Sequence, residues 1–254
     1  MKLMTYNILD GAEATLPTVI EVINKEQPDY LTINEANTFA KNNNSILNEI
    51  GEKTNLPYVH VALSGEYDYH VAVLSKYPFK ELREIKPLMR ACIVAVVDTE
   101  LGPISIASIH LTPYSEDLRL PEINLIINSQ KDYENRILIG DMNSLSKNDG
   151  YDEDMISHFN ETQINKFTTD NHLRFDVIDT ILSSKYLDTA LLFGKANEYT
   201  VPTPANKDKS HANMRLDYIF VSDSLRNNVK DYSVVKNDLT DRASDHYPVI
   251  VKLE

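Results

Sequence analysis

The sequence predicts an α/β protein in which two mixed β-sheets pack face to face with helices on their outer sides. Three observations carry that expectation. Short apolar runs rich in Val, Ile and Tyr, of strand length, recur at 2–7, 29–34, 57–63, 70–75, 91–98, 103–110, 136–140, 215–221, 230–235 and 247–253. Helix-type segments lie between only some of them, at 15–26, 39–54, 115–131 and 152–159, with a further one near 173–184. The order is neither strict strand-helix alternation nor strands followed by helices, so parallel and antiparallel neighbours must share sheets.

Taken in order, the pair of runs at 2–34 encloses a helix whose start is marked by Thr15-Leu16-Pro17, with proline in the first turn where its missing N–H costs nothing. The runs 57–63, 70–75, 78–85 and 91–98 follow one another through short connections and read as an antiparallel meander. A second strand-helix-strand unit spans 103–140, its helix opened by a Ser115 cap and by Glu116 and Asp117 at the positive end of the helix dipole. Segment 197–214, broken by prolines and carrying Lys207-Asp208-Lys209-Ser210-His211, reads as a mobile surface loop.

Composition narrows the function. The 254 residues contain no Gly/Ser-rich or Pro-rich linker and no repeat, so 1–254 is taken as a single domain. At 42% hydrophobic and 25% charged, the chain can fill a core, which excludes disorder. No apolar run approaches the roughly 18–20 residues of a membrane span, and Met1-Lys2 leads directly into the first strand, so the expected location is cytoplasmic and the expected state a monomer. Cys92 is the sole cysteine; it sits in the apolar run 91–97 without a nearby histidine and reads as a buried core residue. A formal charge of −13 argues against a broad basic face gripping duplex DNA. Clustered carboxylates favour instead a divalent cation that supplies the positive charge the chain lacks.

Polar residues mark the ends of the strands. Runs finish on Asn7, on Asn34-Glu35, on His110 and on Asp141, while Asp217 and Asp245-His246 open two later runs. If those later strands run antiparallel to the others, all these groups meet at one edge. Asp141 and Asn143, two positions apart after Leu138-Ile139-Gly140, face one side of an extended chain and address one ligand together. Each residue also has an ordinary reading: Asn7, Asp141 and Asn143 suit turns, Glu35 a solvated loop, His110 a core histidine, and Asp217 a partner for Arg215. Their joint placement at matching strand edges points to a site.

These residues resemble the endonuclease/exonuclease/phosphatase superfamily of DNase I-like metal-dependent phosphoesterases. The carrying motifs are Thr5-Tyr6-Asn7, Glu35, Ser108-Ile109-His110-Leu111, Gly140-Asp141-Met142-Asn143, Arg215-Leu216-Asp217-Tyr218-Ile219 and Ser244-Asp245-His246-Tyr247-Pro248-Val249, in order over nearly the whole chain. The resemblance implies a four-layer α/β sandwich and hydrolysis of a phosphate ester with Mg²⁺ or Mn²⁺. It implies that Glu35 holds the metal with Asn7 and Asp245 nearby, and that His246, oriented by Asp217, is general base or phosphate ligand. Asp141 and Asn143 would hold the nucleophilic water and a phosphoryl oxygen, and His110 would stabilise charge developing on the phosphoryl oxygens. Two positions depart from the family pattern: Asn34 stands where glutamine is common, and the strand Tyr69-His70-Val71-Ala72-Val73-Leu74 has His70 near a usual glycine.

The partner expected is a phosphoester, with Arg119, Lys207, Lys209, His211 and Arg215 as the nearest positive groups and Tyr114 as a stacking ring after His110. Arg119 has an alternative as a helix residue paired with Glu122. Few basic residues favour a small or lipid-derived phosphodiester, a phosphorylated metabolite or a short nucleic-acid end over a long duplex. Two further readings stay open: a nuclease acting on DNA or RNA, and a noncatalytic binding scaffold, the last opposed by the complete set of polar residues.

Overall fold

The expected strands pair into two six-stranded mixed sheets in the computed structural model, which describes residues 1–205 and 212–254. The first sheet is ordered β13 (Val229–Val234), β14 (Val249–Leu253), β1 (Lys2–Asn7), β2 (Tyr30–Asn34), β4 (Val71–Ser75) and β3 (Tyr58–Ala62). The second is ordered β11 (Tyr186–Asp188), β12 (Asp217–Ser222), β8 (Arg136–Asp141), β7 (Gly102–His110), β6 (Ala91–Thr99) and β5 (Phe79–Glu84). A small hairpin joins β9 (Thr168–Thr169) to β10 (His172–Leu173).

The layers follow from the two-residue period of the strands. Leu3, Tyr30, Val71, Val73, Ile93, Ile104, Ile106, Ile137, Ile139, Ile219, Val249 and Val251 point inward and form the core between the sheets. Their neighbours point outward: Met4, Tyr6, Leu31 and Ile33 pack on α1 (Leu16–Glu26) and α2 (Ser45–Thr54). On the other side Val94, Ala107, Ile109 and Leu138 pack on α3 (Glu116–Ser129) and α5 (Asp176–Ser183). The result is a four-layer α/β sandwich. Because most central strands are covered on both faces, they read as continuous apolar runs rather than alternating ones.

Strand directions bring the chemistry together. β1 and β2 are parallel, as are β7 and β8, while β14 runs antiparallel to β1 and β12 antiparallel to β8. In this register Asn7 sits beside Asn34, His110 beside Asp141, and Asp217 across from Asp141. Asn7, Asn34, His110, Asp141 and Asp217 all share the parity of the inward-facing residues, so the period that builds the core carries them into the seam between the sheets. Gly140 permits the close approach of β7 and β8: a Cβ there would lie 1.9 Å from the Ile109 carbonyl oxygen, and its φ is +144°.

Several elements differ from expectation. The helix expected over 39–54 begins at Ser45, because Asn42, Asn43 and Asn44 all take left-handed backbone (φ 49°, 59° and 60°). Segment 152–159 is a 3₁₀ turn at Glu153–His158. The short elements β9, β10, β11, α4 (Glu161–Phe167), α6 (Thr189–Leu192) and α7 (Thr240–Ala243) were not foreseen. Among the described residues no helix is long and apolar enough to cross a membrane.

Candidate active site

The groups at the strand ends meet in a cleft of about 430 Å³ that opens at one end of the inter-sheet seam. From the first sheet, Asn7 closes β1, and its Nδ2 donates to Glu35 Oε1 and to Asp141 Oδ2, each at 3.2 Å. Glu35 follows β2 in a left-handed conformation (φ 58°) and accepts from the Asp10 backbone N–H at 3.0 Å. Burial pushes its carboxyl pKa up, and the neighbouring charge of Asp245 adds to that rise. The Ser244 hydroxyl donates to the Asn7 carbonyl oxygen at 2.7 Å, tying the Asp245-His246 loop to the end of β1.

From the second sheet, Asp141 Oδ1 accepts from the Asn143 backbone N–H at 2.8 Å, an Asx turn that holds Asn143 left-handed (φ 51°). The Asn143 side chain donates to the Leu111 carbonyl at 2.8 Å. His110 Nε2 lies 3.6 Å from Asp141 Oδ2, while its Nδ1 is buried without a partner. Burial holds this imidazole neutral, with its pKa lowered to about 4 against the attraction of Asp141. His246 behaves in the opposite way. Burial pulls its pKa down, but the charges of Asp217, Asp245 and Asp141 outweigh that and raise it to about 10. Its Nδ1 lies 2.7 Å from Asp217 Oδ2.

Asn34 joins the two sheets. Its Nδ2 donates to the Ile109 carbonyl at 2.8 Å and its Oδ1 accepts from the Asp141 N–H at 3.1 Å, so the shorter amide reaches across the seam to β7 and β8. His70 is buried, and its Nδ1 accepts from the Ser64 N–H at 3.1 Å, a structural position. Cys92 is buried as expected, and burial raises its thiol pKa.

The expected substrate-side residues are placed differently. Arg215 is fully buried, its guanidinium bridging Asp149 and Asp188 through bonds of 2.6–3.2 Å, with the Tyr218 ring 4.4 Å away. Arg119 is also fully buried, donating to the Thr112 carbonyl (3.0 Å) and the Lys166 carbonyl (2.6 Å). Glu122 does not form the expected close pair with Arg119; it accepts from the N–H groups of Met89 and Thr112. Both arginines therefore brace the structure: Arg215 spends its donors on two carboxylates, and Arg119 spends both terminal nitrogens on backbone carbonyls, leaving only its Nε without a hydrogen bond. Tyr114 is exposed, its hydroxyl 3.3 Å from Glu66 Oε2. Lys207, Lys209 and His211 lie outside the described residues.

The cleft contains cations that the sequence reading missed. Lys166 on α4 donates to Asn143 Oδ1 at 2.5 Å, and Arg90, just before β6, lies over the Tyr69 ring at 4.1 Å. Arg90 was accessible to the rule that found Asp217, a polar residue at the mouth of a strand. Lys166 gave no such signal: its helix has seven residues and is started by a polar capping box between Asn160 and Gln163.

The donor chemistry suits a hard divalent cation. Glu35 and Asp245 face the cleft with a repulsion that a cation would relieve, and thiolates are absent from its lining. Asp141, Asp217 and His246 also place ligand-type atoms within 4.8 Å of one another. His246, however, commits Nδ1 to Asp217, and an imidazole is a softer donor than the oxygens a hard divalent cation prefers. The oxygen donors Glu35 and Asp245 are the better fit.

The comparisons agree with this architecture. No curated protein matches the chain. An endonuclease/exonuclease/phosphatase family protein from Leptotrichia buccalis C-1013-b is 22% identical with a TM-score of 0.71. A 3′ phosphatase from Neisseria, NExo, bound to a product DNA hairpin, is 18% identical with a TM-score of 0.73. An AP endonuclease from Archaeoglobus fulgidus is 18% identical with a TM-score of 0.74. Each alignment covers 100% of this chain and 99% of the other, and at these identities the likeness shows the fold. The sequence profile of the Endonuclease/Exonuclease/phosphatase family matches residues 4–246, and the chain accordingly belongs to that family of phosphoesterases.

Proposed function

We propose that this protein hydrolyses a small phosphate ester in the seam cleft with the help of Mg²⁺ or Mn²⁺. The observation that carries the reading is the convergence of Glu35 and Asp245 with Asp141, Asn143 and His246 on one cavity. Glu35 and Asp245 would hold the cation, and Asn7 would join them by a turn of its carboxamide that takes Oδ1 from the Leu9 N–H, from which it accepts at 3.2 Å, toward the cation. When bound, the cation neutralises phosphoryl charge as a Lewis acid.

The chain's own groups supply the rest. Asp141 accepts a hydrogen bond from a water, fixed in direction because its other oxygen is held by the Asn143 N–H. As the water oxygen forms its bond to phosphorus, the ester P–O bond breaks and the water's proton passes to Asp141. The leaving oxygen becomes an alcohol by taking a proton from solvent in the open cleft. His246, pinned through Nδ1, presents Nε2–H to a phosphoryl oxygen, and His110 lines the same cavity as a neutral donor.

A panel of esters tests this. Bis-p-nitrophenyl phosphate, p-nitrophenyl phosphate, plasmid and oligonucleotide are each incubated with Mg²⁺, with EDTA, and with the Glu35→Ala variant. Hydrolysis of the aryl esters that EDTA and Glu35→Ala abolish supports the reading. Cleavage of nucleic acid alone would favour the nuclease alternative, for which the likeness to DNA-acting structures is the supporting observation. Inertness toward every substrate would restore the scaffold reading.

A further inference from the structure

Two cations in the cleft have no carboxylate within 4.0 Å among the described residues. Burying a charge without an opposite one is costly, and the fold's other buried arginines avoid that cost: Arg215 pairs with Asp149 and Asp188, and Arg119 lies 3.9 Å from Glu116. Among the described residues Arg90 and Lys166 form no ion pair within 4.0 Å. The Arg90 guanidinium is held by the Tyr69 ring and the Glu66 carbonyl, and its buried Nε has no partner. Lys166 spends one of its three donors on Asn143. Burial brings its ammonium down to about 8, so it stays protonated at pH 7. Both line the same cleft and both act electrostatically on His110.

Lys166 is also fixed in place. The capping box of Asn160 and Gln163 starts its helix, Phe167 beside it packs 5.8 Å from Phe159, and the Arg119 guanidinium holds its carbonyl oxygen. A long flexible side chain so anchored at its base is a preorganised anion ligand.

We propose that Lys166 and Arg90 form an anion subsite beside His110 that selects a phosphomonoester dianion over a phosphodiester monoanion. The inference rests on the phosphoesterase reading above and deepens it. A monoester carries about −1.5 to −2 charges at pH 7, whereas a diester carries one. The second charge resides on an oxygen that a diester has lost to its other ester bond, and a buried guanidinium with a half-buried ammonium would reward it by charge-assisted hydrogen bonds. The enzyme then hydrolyses phosphomonoesters in preference to phosphodiesters. The bond changes are those given above, with inorganic phosphate as the released product.

The test separates binding from turnover. Methyl phosphate and dimethyl phosphate are titrated calorimetrically into wild-type protein, Lys166→Met, Lys166→Gln and Lys166→Arg at pH 7 with Mg²⁺, and thermal melting confirms that each variant folds. The expected result is that the neutral variants weaken methyl phosphate at least about ten-fold more than dimethyl phosphate, and that Lys166→Arg keeps most of the discrimination. The ratio of kcat/KM for p-nitrophenyl phosphate over its diester should fall in parallel. Equal losses for both anions would assign Lys166 to propping Asn143 and overturn the proposal, as would no loss. If the wild type hydrolyses neither ester, the reaction reading fails, while the binding ratio still decides the subsite.

Discussion

Asp217 Oδ2 lies 2.7 Å from His246 Nδ1, and the two residues come from different sheets. The imidazole is thereby locked with Nε2 toward the cleft, and its charge is supported from behind. Asp217→Asn keeps the shape and removes that charge. We expect kcat to fall by about 10²–10⁴ with KM within about three-fold, as for loss of an acid-base or orienting partner. Steady-state kinetics on an aryl phosphate checks this, and unchanged turnover would remove Asp217 from the reaction.

Glu35 and Asp245 bring like charges into one cleft, and their repulsion adds to the burial that raises the Glu35 pKa. Adding millimolar Mg²⁺ should raise the melting temperature of the wild type by several degrees, through binding to the folded state alone. Glu35→Gln should melt at or above the metal-free wild type and respond little to Mg²⁺. A full Mg²⁺ response in the variant would move the cation elsewhere.

His110 sets an acid limit to stability. Its folded pKa is near 4 and its unfolded value 6.5, so below pH 6.5 the unfolded chain binds a proton that the folded chain refuses. The contribution is therefore complete above pH 6.5 and is lost as pH falls toward 4, reaching about 3 kcal/mol. Urea denaturation at pH 7 and pH 4.5 should show this loss in the wild type and a smaller one in His110→Gln.

Arg215 neutralises two buried carboxylates at once. Arg215→Met strands Asp149 and Asp188 in the interior and should cost about 3–5 kcal/mol in chemical denaturation. Arg215→Lys should recover only part of that, because an ammonium does not span both carboxylates with the planar geometry of the guanidinium.

The strands and the seam residues were legible because one physical rule wrote both. Alternation that sends Ile137 and Ile139 into the core also sends Asp141 there, so a polar residue at the end of an apolar run stands out. Arg119 and Arg215 misled because charge suggests exposure, while their burial depends on Thr112, Lys166, Asp149 and Asp188, residues from 7 to 66 positions away. Lys166 was invisible for a similar reason. Its helix is too short for an apolar period, and its place in the cleft is decided by packing of Phe167 with Phe159, Leu173 and Met214.

Asn34 spans the seam from β2 to β7 and β8, and it belongs to a centre that neither sheet possesses alone. Glu35, Asp245 and His246 arrive with one sheet; His110, Asp141, Asn143 and Asp217 arrive with the other. During synthesis the carboxylates proposed to grip the cation are separated by nearly the entire chain, so a nascent polypeptide has no reactive centre until its last strands emerge. Hydrolysis would thus report completed assembly, and a slip of about 1 Å between the halves would cost the rate about 100-fold.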